Sequence, residues 1–151
     1  VLPTWLVGNF SAAEVHVFER HSALVPLART FFGLPKPRET PGPGLHVHVG
    51  DALELLRAPP PSASGSFDVV LVDLNAPPTD ARLAAPSSDL LGADACSLLR
   101  RRAKHVVAIN VLFGETLSEA ARSEVRDGLC ATLGHVFPLV RWVEPRLHRP
   151  Q

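Results

Sequence analysis

The sequence has no methionine and no tyrosine, and only two cysteines, Cys96 and Cys130, in 151 residues. Two cysteines so far apart, without the short spacing of a thiolate metal site, exclude a zinc ribbon and a disulfide framework. Each falls in a helical pattern, where a free cysteine behaves as a small buried hydrophobe. Net charge is lacking too: 15 Lys and Arg balance 15 Asp and Glu. No global positive field points to nucleic acid, and no polybasic run points to a membrane surface. No apolar run approaches the roughly 20 residues that a membrane helix needs. No basic segment followed by a long apolar one opens the chain, so a secretory signal is not expected and a cytoplasmic location is. The missing methionine, with an opening in mid-pattern, leads to the expectation of a fragment of a longer protein.

What is present is proline, 15 residues of it. Prolines crowd residues 35–44 and 59–66, which read as loops. Between and around them lie periodic segments. Phe67-Asp-Val-Val-Leu-Val-Asp73 is the most telling. Four successive apolar residues, three of them Val, suit a strand buried on both faces, as in a parallel sheet covered by helices. His105-Val-Val-Ala-Ile-Asn-Val-Leu112 has the same character. Alternation marks further strands at 14–18 and 45–49. A last one is expected at 135–143, where Pro138 argues for an edge. Helical spacing or caps mark 2–10, 22–32, 52–57, 89–102 and 115–133, with Asp51 as N-cap of the third and residues 75–89 as a long polar connection. The alternation predicts one domain over residues 1–151: a doubly wound, mostly parallel α/β sheet.

In such sheets ligands bind outside the carboxyl ends of the strands. Three expected strands end in acids: Glu19, then Gly50-Asp51, then Asp73. A carboxylate in the first position can accept from a ribose diol, and Gly50-Asp51-Ala52 combines close approach with an acceptor for an adenine amino group. A single acid after a strand is more often a turn former or N-cap; three in succession are more specific. Arg100-Arg101-Arg102 reads as a solvated helix end matched to its carbonyls. His46 and His48 share one face of their strand, but no acid stands near them in sequence, so no metal is expected.

Val15-His-Val-Phe-Glu19, Ala28-Arg-Thr-Phe-Phe-Gly33, Leu45-His-Val-His-Val-Gly-Asp51-Ala-Leu-Glu-Leu-Leu, Phe67 to Asp73, Ile109-Asn110-Val111 and Val136-Phe137-Pro138-Leu139 together resemble the spermidine-synthase-like class I methyltransferases. The resemblance is strongest to the branch that methylates elongation factor 1-alpha, and it covers nearly the whole chain. It implies S-adenosyl-L-methionine as cofactor, and a protein amine as acceptor, a lysine or an N-terminus, on elongation factor 1-alpha or another protein. It implies no metal and no nucleic-acid partner. Glu19 would bind the ribose hydroxyls. Gly50, Asp51 and Ala52 would border the adenine. Asp73, with Leu74 after it, would lie near the methionine end and serve the acceptor.

The departures matter equally. The family's glycine-rich loop, which wraps the methionine moiety, does not appear ahead of Glu19, and neither does the central strand before it. Arg20-His21 stands where relatives carry an acid two residues after the glutamate. Two other functions therefore stay open. One is an aminopropyl transferase of the same superfamily, disfavoured by the absence of tyrosine and the few acids after Asp73. The other is a non-catalytic methyltransferase-like fold that binds a protein partner.

Overall fold

β1 (Glu14–Glu19) and β2 (Gly44–Val49) lie side by side and parallel, in register from Glu14 opposite Gly44 to Glu19 opposite Val49. The computed structural model describes residues 2–40, 42–63, 65–74 and 82–144. The chain divides into two compact units, Val1–Ser66 and Phe67–Gln151. Among the described residues the architecture is mixed α/β, with three two-stranded sheets, two of them parallel.

In the first unit, α1 (Leu2–Asn9) packs on β1 and β2, and α3 (Ala52–Arg57) packs on β1. Pro3 fits the first turn of α1, where its missing N–H costs nothing. α2 (Leu24–Phe32) ends at Gly33, whose φ of 64° is the left-handed conformation that closes helices at little cost in glycine. Asp51 caps α3 as expected: its Oδ1 accepts from Leu53 N–H at 3.0 Å and Glu54 N–H at 3.2 Å. Leu45, His46, Leu56 and Ala63 are buried. The loop at 59–66 includes a single 3₁₀ turn, Pro61–Ala63.

In the second unit, β3 (Phe67–Val72) pairs in parallel with β5 (Ala103–Ile109). Phe67 faces Ala103 and Val69 faces Val106, so β5 carries one extra residue there. That bulge puts both Lys104 Nζ (3.4 Å) and His105 Nε2 (3.9 Å) within reach of Asp68 Oδ1. Such exposed pairs contribute at most about 1 kcal/mol. α5 (Ala93–Arg102) lies on this sheet and buries Ala95, Cys96, Leu98 and Leu99, one stripe at helical spacing.

Several expectations need correction. β3 and β5 are not buried on both faces. Val70, Val72, Val107 and Ile109 alternate with Val69, Leu71 and Val106, which are 50%, 46% and 49% exposed. α5 covers one face only, so the valine runs behave as half-buried strands. Leu112 does not continue β5. After Asn110 the chain turns into β6 (Leu112–Phe113), antiparallel to β4 (Leu83–Ala85), a strand hidden inside the segment expected to be an irregular connection. The expected helix at 89–102 is two helices, α4 (Ser88–Leu91) and α5, because Gly92 between them is extended at ψ 155°. α6 (Glu119–Gly134) starts four residues later than expected, after its N-cap Ser118, whose Oγ accepts from Ala121 N–H. The expected strand at 135–143 does not form. Pro138 has no N–H to give, and no described strand pairs with the segment. Residues 75–81 of the expected connection at 75–89 lie outside the described residues, as do residues 145–151.

Candidate functional site

The parallel register of β1 and β2 brings Glu19 and Gly50-Asp51 to the same carboxyl edge. Glu19 faces Val49, and Gly50 N–H donates to the Glu19 carbonyl at 2.9 Å. Gly50 turns with φ 157°, a conformation that favours glycine, and a Cβ there would press on Leu55 Cδ1 at 3.3 Å. Glu19 is half-buried, and its Oε1 accepts from His21 N–H at 2.7 Å. Asp51 is exposed and spends Oδ1 on the α3 cap; Ala52 opens that helix, half-buried. The edge thus presents two carboxylates held by their own turns. Arg20 and His21 beside them are exposed.

Asp73 and Leu74 lie in the second unit, directly after β3. Asn110 ends β5 beside them. Its backbone N–H extends the ladder to the Val72 carbonyl at 2.8 Å, and its side-chain Nδ2 donates to Asp73 Oδ1 at 2.8 Å. Both side chains are exposed and Leu74 is half-buried. A carboxylate oriented by an amide at the ends of two parallel strands can accept a proton from an approaching amine. Within each unit, then, the expected residues cluster at a carboxyl edge: Glu19 with Gly50, Asp51 and Ala52, and Asp73 with Leu74 and Asn110.

One face of the β1–β2 pair holds a group that sequence spacing did not show. Glu14, His16 and Phe18 on β1 stand beside Gly44, His46 and His48 on β2. The three imidazoles stack: His16 lies 4.7 Å from His46 and 5.2 Å from His48, with its ring plane nearly parallel to each. His16 Nδ1 is 2.9 Å from His48 Nε2. His16 Nε2 is 3.3 Å and His46 Nε2 is 3.5 Å from Glu14 Oε1. His46 Nε2 also meets the Gly42 carbonyl at 2.8 Å, while Gly42 N–H donates to Glu14 Oε1 at 3.1 Å. The reading of His46 and His48 as lacking an acid is therefore corrected: Glu14 comes from the neighbouring strand. A chain distance of 32 residues hid it, and the signal was the matched x-His patterns of two pairing strands.

These contacts set the charges. The hydrogen bond from Gly42 N–H holds the Glu14 carboxyl below its usual range, against the opposing effect of burial, with His16 and His46 adding attraction. Burial, then repulsion from His46, lowers the proton affinity of His16, although Glu14 pulls the other way. Burial and the two neighbouring rings lower that of His48. The chain's one G-x-G, Gly42-Pro43-Gly44, enters β2 instead of leaving a strand, and it serves this cluster.

Compared with family models, with curated proteins and with solved structures, the chain finds no match in any of the three.

Proposed function

We propose that these residues belong to an S-adenosyl-L-methionine-dependent methyltransferase acting on a protein amine. The observation that carries the reading is the pairing of Glu19 with Gly50-Asp51 across two parallel strands. A half-buried carboxylate and a glycine turn stand together where an adenosine would lie. Asp73, oriented by Asn110, is the group for the acceptor amine, and transfer is an in-line displacement of methyl from sulfonium to nitrogen. The protein's part is positioning and removal of the amine proton. The fold that goes with this reading is a doubly wound, mostly parallel α/β sheet. Elongation factor 1-alpha is the acceptor that the sequence resemblance suggests.

S-adenosyl-L-methionine would be held by Glu19 at the ribose and by Gly50, Asp51 and Ala52 at the adenine. The residues present supply the adenosine half of such a site and no glycine loop for the methionine half. Isothermal titration of S-adenosylhomocysteine into this chain, and into the same chain extended upstream by its own coding sequence, tests the reading. Binding by the extended chain, lost on Glu19→Ala, supports it; no binding by either sinks it. A non-catalytic partner-binding domain then becomes the better reading, favoured by the apolar side chains on α2. Leu24, Leu27, Phe31 and Phe32 are 46% to 70% exposed there.

A further inference from the structure

The histidine cluster lies on the face of β1–β2, away from the carboxyl-edge residues, and no step of the proposed methyl transfer uses it. We propose that Glu14 Oε1, His16 Nε2 and His46 Nε2 form a binding site for a divalent transition-metal cation of the zinc class, with His48 orienting His16.

The geometry points this way on four counts. First, the three donor atoms lie within 4.8 Å of one another. Zinc takes imidazole nitrogen and carboxylate oxygen at about 2.0–2.2 Å, which puts neighbouring tetrahedral ligands about 3.3–3.5 Å apart. The separations from Glu14 Oε1 to the two imidazole nitrogens are 3.3 and 3.5 Å.

Second, the backbone holds the ligands. His16 and His46 are direct partners in the parallel register, and Glu14 sits two residues before His16 on the same face. The side chains of His16 and His46 are 6% and 2% exposed, so the rings are packed in place. The Glu14 side chain, 38% exposed, leaves a route for the ion and room for a solvent ligand.

Third, a ligating imidazole normally donates its other ring N–H to a fixed acceptor. His16 Nδ1 has one at 2.9 Å in His48 Nε2. Metal binding by His16 Nε2 needs the proton on Nδ1, and His48 receives that hydrogen bond. His46 likewise carries its proton on Nδ1 when Nε2 ligates. The hydrogen bond between that nitrogen and the Gly42 carbonyl, 2.8 Å away, is then given up to the ion. Each ring stays neutral and keeps one proton.

Fourth, the donor chemistry suits the ion. Two imidazoles with one carboxylate select zinc-class ions over magnesium or calcium, which prefer oxygen alone.

The test is titration of the whole chain, stripped with chelator, with Zn²⁺ and with Co²⁺ as a spectroscopic stand-in. One ion per chain is expected, with Kd at or below about 1 μM. Co²⁺ should give visible d–d bands without the thiolate charge-transfer band that Cys96 or Cys130 would produce. Glu14→Gln should weaken binding by about 10-fold or more, and His16→Phe, which keeps the stacked ring, should abolish it. Imidazole NMR of the unsubstituted chain decides the matter even if a variant misfolds. Zn²⁺ should shift the resonances of His16, His46 and His48 and leave His21, His105 and His135 in place. No saturable binding, binding that survives His16→Phe in a folded variant, or shifts confined to the other histidines would each overturn the site.

Discussion

Asn110 donates its side-chain amide to Asp73 Oδ1 across 2.8 Å, at the carboxyl ends of two parallel neighbours, β5 and β3. This holds one carboxylate oxygen of Asp73 in place. Asp73→Asn in the extended chain should reduce methyl transfer by about 10²–10⁴-fold, the usual worth of a positioned base. Asn110→Ala should cost on the order of 10-fold, through orientation alone. Both residues are exposed, so urea midpoints should hardly move. A large stability loss, with transfer intact, would make the pair a strand-end brace instead.

Asp51 has two possible employments, and one substitution separates them. Its Oδ1 accepts two backbone N–H groups at the start of α3. Asp51→Ala should destabilise the chain by about 1 kcal/mol, and Asp51→Asn, which still caps, by much less. If Asp51 also borders an adenine, both variants should weaken S-adenosylhomocysteine binding by the extended chain. Equal loss of stability in the two variants would contradict the cap.

What could be read from sequence was what is local. Asp51 was legible as a cap because its partners lie two and three residues away, and Gly33 as a stop because a left-handed terminus favours glycine. Val69 and Leu71 misled, because a run of valines does not reveal how many layers cover it. Residues 135–143 are apolar and valine-rich like a strand, but a strand exists only with a partner, and Pro138 removes a ladder donor. β4 is three residues long and lay unseen among prolines. The cluster of Glu14, His16, His46 and His48 depends on strand register, which no single segment encodes.

Cys96 and Cys130 should differ sharply in reactivity. Cys96 has no exposed surface, its Sγ lies 3.5 Å from the Leu91 carbonyl, and burial pushes its thiol up. Cys130 is half-buried in α6. Iodoacetamide on the native chain should label Cys130 and spare Cys96, and both should react in urea. Early labelling of Cys96 would mean that the stripe of α5 on β3–β5 opens readily.

The stacked imidazoles make stability depend on pH in a definite direction. Burial lowers the proton affinities of His16 and His48 below the ordinary 6.5. In the window between that value and the lowered ones, the unfolded chain binds more protons than the folded chain. Stability therefore rises with pH there, is fully present above 6.5, and is lost as pH falls through the folded values. Glu14 acts in the same sense at lower pH, since its carboxyl is held below 4.5 in the folded chain. With chelator present to remove any bound cation, Tm should fall between about pH 7.5 and about pH 5.5. His16→Phe should flatten that fall, because it removes one buried titrating ring and the charge that His46 and His48 would otherwise meet. A Tm profile equally steep in the variant would place the pH dependence elsewhere and would deny the cluster its electrostatic role.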